Sequence, residues 1–127
     1  MTRITRRLAI AAAAVLALTS AAAAHHGWAW AEAEYIEVTG TIQEIYIGPP
    51  HPTLDVETAE GVWRVDLGNP RQTAAAGFVE GVASIGDEVT ALGNRTTEPD
   101  RLLMKAVRIT VDGTSYDIYP SRIPEGS

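Results

Sequence analysis

Three histidines supply all the imidazole in this chain, and two of them, His25 and His26, are adjacent. The third, His51, stands among prolines in Gly48-Pro49-Pro50-His51-Pro52. If a peptidase cuts after Ala24, His25 becomes a mature N-terminus. Its α-amine and ring Nδ1 can then close a chelate on one metal ion. One more imidazole nitrogen, from His51 or from His26, would complete a T-shaped, all-nitrogen donor set. Tetragonal nitrogen sets suit Cu(II), which also heads the affinity order of the divalent ions. Zn(II) is the alternative. His51 is the stronger third donor, because prolines fix the backbone around it and reduce the entropy its ordering costs. Trp28 and Trp30 follow the histidine pair, where they could shield such a site or stack on a soft cation.

Plainer readings of the same residues stand beside this one. Histidines just behind a leader can belong to a loose tail, and His51 can be an ordinary polar loop residue. Cleavage after Ala23 would put the amine on Ala24 and spoil the chelate.

The start of the chain makes a new terminus near His25 plausible. Arg3, Arg6 and Arg7 form a positive head, Leu8 to Leu18 an apolar stretch, and Thr19 to Ala24 a run of small residues. Ala22 and Ala24 take the A-x-A arrangement that signal peptidase reads. The apolar run falls well short of the roughly 20 residues that span a bilayer, so a membrane span is not expected. The Arg6-Arg7 pair suggests twin-arginine export, but the residues after it do not complete that motif, which leaves the general secretory route. Residues 1–24 are thus expected to be a signal peptide and 25–127 one mature domain, periplasmic or secreted.

Cleavage at Ala24 removes three of the ten basic residues and none of the sixteen acidic ones, leaving a formal net charge of −9. Such a balance repels phosphate backbones, which excludes nucleic acid as a partner. Cysteine is absent. The domain must hold without disulfides in an oxidising compartment, and it has no thiolate for catalysis or soft-metal binding. Met104 is the sole methionine left after Met1.

Enzymatic arrangements are weaker. Ser84, Ser115, Ser121 and Ser127 lack a nucleophile-elbow context. Gly40, Gly48 and Gly61 lack the spacing of a phosphate loop. Strand alternation puts Asp55, Glu57 and Asp66 on an expected solvated acidic face. A non-enzyme is the expectation.

The elements that would position these residues are mostly strands. Tyr35 to Ile47 reads as one long strand whose apolar residues change parity between Ile42 and Ile45. A period of two cannot change phase without an extra residue, so a bulge is expected near Gln43 and Glu44. Gly40 adds a place for sharp bending. Residues 54–58 and 63–67 alternate as a second and third strand around the turn Glu60-Gly61. Asn69 then reads as an N-cap, Pro70 as the first helical residue, Gln72 as the capping-box partner and Gly77 as the stop. Further strands are expected at 88–92 and 103–111, separated by a polar turn from Gly93 to Asp100. Asp112-Gly113 is a hairpin turn, and 116–119 a possible extra C-terminal strand.

Three strands, a helix and two strands, with a bulged first strand, match a five-stranded OB-like Greek-key barrel. A simple β-sandwich is the competing arrangement. The single helix between the third and fourth strands favours the barrel, and that helix is expected to close one end of it.

Several short motifs together resemble a family of small exported bacterial proteins of unknown function with an OB-like barrel. These are Ala24-His25-His26-Gly27-Trp28, Thr39-Gly40-Thr41, Pro50-His51, Trp63-Arg64-Val65, Asn69-Pro70 and the block from Gly86-Asp87-Glu88-Val89 to Gly93. The resemblance implies cleavage directly before the His-His pair. Pro49 departs from it, since the family's loop usually has Asn there. A looser similarity is to the periplasmic OB-fold copper carriers of efflux systems. Those hold Cu(I) with methionines, which Met104 alone does not supply. The sequence therefore points to a periplasmic Cu(II)- or Zn(II)-binding protein using His25, His51 and His26. A metal-free module that binds a ligand or a periplasmic protein is the alternative.

Overall fold

The structure, a computed structural model, describes residues 27–127. His25, His26 and the expected leader lie outside the described residues. Residues 27–30 fall in a unit separate from the one that spans Ala31–Ser127, and the second unit holds the barrel.

The first strand, β1 (Ile36–Tyr46), pairs antiparallel with β2 (Thr53–Thr58) on one edge and with β4 (Glu88–Arg95) on the other. Strand β3 (Gly61–Asp66) pairs with β2, and β5 (Leu103–Val111) pairs with β4. A short parallel match of β3 with β5 joins Arg64 to Leu103, Val65 to Met104 and Asp66 to Lys105, which closes a five-stranded mixed ring. This is the expected OB-like barrel, not a sandwich. Strand β6 (Thr114–Asp117) pairs with β5 outside the ring.

Two bulges let five strands curve into a ring. In β1 the register shifts between Ile42 and Glu44, so Gln43 is the extra residue, where the apolar parity changed. Ile42 is thereby kept in the core and Ile45 partly buried against it. In β5, Leu92 faces Arg108 while Gly93 faces Ala106, and Val107 is the extra residue. Both Ala106 and Val107 are fully buried, and the freed Val107 carbonyl accepts from the Ile118 and Tyr119 amides. Inside the ring pack Val38, Leu54, Val56, Trp63, Val65, Val89, Ala91, Met104 and Ile109. A barrel this small is filled by its own side chains and leaves no lumen.

The helix α1 (Pro70–Ala75) sits between β3 and β4 with the expected cap: the Asn69 side chain accepts from the Gln72 amide at 2.8 Å. The helix itself buries only Thr73. Leu67 before it and Phe78 after it enter the core, so its flanks rather than its body seal that end. Two further expectations need correction. The polar turn expected from Gly93 to Asp100 starts later, at residue 97, because β4 continues through Arg95 and Thr96 bridges to Ala31. Gly93 and Asn94, which look like turn residues, serve the sheet instead. A Cβ at Gly93 would fall on the Lys105 carbonyl oxygen, and buried Asn94 donates to the Ala33 and Glu34 carbonyls. The last strand begins at Thr114 rather than Tyr116. Asp112 and Gly113 both take positive φ (50° and 76°), the two-residue hairpin geometry that lets Val111 pair directly with Thr114.

Two substitutions test this reading. Gly93→Ala forces backbone atoms apart at the β4–β5 crossing and should cost about 2 kcal/mol or more in urea unfolding. Asn69→Ala removes a cap and should cost about 1 kcal/mol. Equal, near-zero effects would contradict the close approach at Gly93.

Candidate functional site

His51 is the sequence-predicted donor that lies among the described residues. Its loop is held at both ends. Before it, the Tyr46 hydroxyl donates to the Pro49 carbonyl at 2.5 Å, and the Tyr46 ring covers Gly48 closely enough that a Cβ there would lie 2.7 Å from the hydroxyl. After it, Pro52 is buried and its carbonyl accepts the Leu67 amide at 3.0 Å. The Pro49–Pro50 peptide bond between them is cis. Prolines remove φ freedom at three of the loop's positions. The loop thus presents His51 from a defined place over the end of β3.

The ring is half-exposed, and its two nitrogens differ. Nε2 lies 3.9 Å from an Asp66 carboxylate oxygen, an ion-pair distance too long for a hydrogen bond. Nδ1 is buried and has no hydrogen-bond partner. An unpartnered buried nitrogen is costly, which makes this ring a candidate for a role beyond loop packing. Ligating histidines commonly donate their other ring N–H to a carboxylate, and Asp66 is an acid facing Nε2, although at 3.9 Å it accepts no hydrogen bond.

Asp66 was expected on a solvated acidic face, and the structure corrects this. Its strand parity does point outward, but the His51 loop and the neighbouring strand β5 cover it. Burial pushes the Asp66 carboxyl above the usual carboxylate range, against the pull of the nearby His51, Arg64 and Lys105 charges. Lys105, its partner across the parallel closure, is pushed down by burial, although Asp66 pulls it back up. The Lys105 ammonium lies 5.6 Å from the centre of the Tyr119 ring, whose hydroxyl burial pushes up. The other two acids of the expected face behave differently. Asp55 is half-buried and accepts from Arg64 Nε at 2.6 Å, and Glu57 is exposed, accepting from Gln43 at 2.7 Å. An open groove of about 330 Å³ runs beside His51, with Glu44, Tyr46, Thr53, Asp55 and Arg64 around it.

Among the described residues no group of three or more His, Asp or Glu side chains gathers closely enough to hold a metal ion. Trp28 and Trp30 are half-buried. Met104 is fully buried in the core, so its sulfur packs rather than ligates. Tyr46, Asp66 and Lys105 are the residues that sequence reasoning missed around His51. The spacing Tyr46-x-Gly48 before a Pro-Pro pair was a usable signal, since a small residue lets a ring fold back on a rigid turn. Nothing local marks Asp66 or Lys105, which meet through β-pairing across 39 positions of chain. Among the described residues no helix is long and apolar enough to cross a membrane.

The Asp66 shift fixes a pH dependence. A carboxyl raised above its ordinary value near 3.8 makes the folded state hold a proton that the unfolded chain has released. Stability contributed by the neutral form is therefore lost as pH rises from the ordinary value through the raised one. Asp66→Asn, which stays neutral, should gain stability relative to the parent protein as pH rises above about 3.8 in urea titrations. A difference between the two proteins that stays flat as pH rises would contradict the burial of Asp66.

No curated protein matches this chain. A family model described as "Family of unknown function (DUF6152)" matches residues 12–102, from before the histidine pair to the start of β5. With most of its length matched, the chain belongs to this family of unknown function.

Proposed function

We propose that this protein is a non-enzymatic metal-binding protein of the periplasm, with Cu(II) its first metal and Zn(II) the alternative. The observation that carries the reading is the state of His51: a half-exposed imidazole on a proline-braced loop, one nitrogen unpartnered and a carboxylate behind the other. Its remaining donors are assigned on chemical grounds to the α-amine and ring of His25, with His26 as substitute. The absence of cysteine and the burial of Met104 favour nitrogen donors over sulfur. A second reading, a metal-free module that binds a ligand or a protein, is supported by the open grooves on the barrel surface.

Processing is the first test. Intact mass of the exported protein should show a chain that starts at His25. A start at Ala23 or Ala24 removes the amine chelate and with it this assignment.

Binding is the second. Metal must displace protons from an α-amine of pKa about 7.7–8.0 and from imidazoles that ordinarily titrate near about 6.5. Cu(II) affinity should therefore fall steeply between about pH 7.5 and 5.5. In competition titrations His51→Ala should weaken Cu(II) by about tenfold or more, and His26→Ala by less. One alanine inserted before His25 should hurt about as much as losing His51. Changes below about threefold for both would leave the metal-free reading as the better one.

A further inference from the structure

The barrel carries a second groove, which meets the His51 groove at Ile45, and its walls define what fits it. The groove holds about 400 Å³, a size within the range of binding clefts. Ile45 and buried Phe78 lie along it, with Ile47, Val79 and Ile85 at its exposed margin. Ile85 is 70% exposed and Val79 43%, on a surface where isolated apolar residues would otherwise be unremarkable.

Two independent features say what would cover these side chains. The first is backbone. On one edge, β1 is paired with β2 as far as Tyr46. On its other edge, pairing with β4 ends at Thr41 opposite Glu88, and Ile42 completes it by bonding with Asp87 and Gly86. Beyond Ile42 this second edge has no strand partner among the described residues, because β4 begins only at Glu88. An open edge bordered by an apolar trough is the arrangement that accepts an added strand. The second feature is charge. The two stretches that flank the groove, residues 42–48 and 76–88, carry four acids and no Lys or Arg. Of these acids Glu80 lines the groove itself, while Glu44 lines the neighbouring His51 groove beside Arg64.

We propose that this groove takes an extended polypeptide segment of a partner protein, with aliphatic side chains separated by Lys or Arg, added as a strand along the open edge of β1. Main-chain hydrogen bonds from β1 would hold the segment. Alternate side chains, all on one face of an extended strand, would enter between Ile45, Ile47 and Ile85. The intervening basic side chains would meet Glu80 and the acidic stretches that flank the groove, which sets specificity and speeds encounter more than it adds affinity. The same acidic stretches disfavour a second copy seated on this face, since two copies would bring like charges together. They repel anionic lipid for the same reason.

The proposal does not depend on metal, and its test is run with EDTA present so that the two readings fail separately. The ¹⁵N-labelled protein is titrated at low ionic strength with extended peptides of about seven residues that alternate an aliphatic residue with Lys. Matched peptides carry Glu in place of Lys, or N-methyl groups on alternate amides. Amide shifts should be confined to residues 43–47 and 78–86. The Lys peptides should bind about tenfold or more tightly than the Glu peptides, and N-methylation of the edge-facing amides should abolish binding. Ile85→Asp changes an exposed residue, so it should leave the melting temperature in place while weakening the Lys peptides by about tenfold. Glu80→Lys should weaken them several-fold, with less dependence on salt. Equal binding of Lys and Glu peptides, shifts centred elsewhere on the barrel, or no binding by any peptide of the panel would overturn the proposal. So would a concentration-dependent dimer, without peptide, whose shifts fall on the same residues.

Discussion

Closure of the ring is the constraint on which the rest of this molecule depends. Three parallel residue pairs between β3 and β5, reinforced by the Arg64 amide bonding to the Leu102 carbonyl, join the ends of a sheet whose other contacts are antiparallel. A curved five-stranded sheet closes only if its strands bend, and bending costs backbone hydrogen bonds unless the chain inserts residues to absorb it. Gln43 and Val107 are those residues. Glycine at 40 and 93 does the complementary work. A Cβ at Gly40 would strike the Glu57 carbonyl oxygen, and one at Gly93 the Lys105 carbonyl oxygen, so both let strands approach where the barrel is tightest.

The same closure builds the surroundings of His51. Asp66 and Lys105 are neighbours because the parallel register sets them side by side, and both are drawn out of water by the chain that packs over them. The proline loop spans from β1 to β2, and Tyr46 and Pro52 clamp it to the barrel at its two ends. A single half-exposed imidazole therefore stands beside a carboxylate that burial has made unusually willing to hold a proton. Arg64, a strand residue of outward parity, sits between two acids, bonding Asp55 directly and lowering the Asp66 carboxyl through space. The polar end of the barrel is thus electrostatically balanced by proximity, whereas the groove lined by Ile45 and Ile85 has Glu80 as the charged residue in its wall.

Bulges have opposite consequences at these two places. At Val107 the extra residue is absorbed completely: its side chain is buried and its carbonyl takes two amides from the C-terminal segment. At Gln43 the extra residue shifts the register against β2, and beyond Ile42 the opposite edge of β1, past the start of β4, stays open along the groove. An open edge beside exposed isoleucines is usually a hazard that natural sheets cover or charge. Here acids flank it, which discourages self-association and selects basic segments.

Much of this was legible in the residues. Hydrophobic parity located the strands and even the bulge, because a period of two cannot slip without an extra residue. Asn69, Pro70 and Gly77 marked the helix, since capping chemistry is local and depends on a few neighbouring atoms. The proline loop around His51 was equally plain, and so was its rigidity. What the sequence could not reveal were meetings between distant residues. Gly93 and Asn94 read as a turn, yet they are strand, because only the folded barrel brings the Lys105 carbonyl and the Ala33–Glu34 backbone against them. Asp66 read as a solvated acid, because strand alternation reports the direction of a side chain and not what covers it. Its burial, its pairing with Lys105 and its approach to His51 were decided by ring closure, a contact between chain segments that no local pattern encodes.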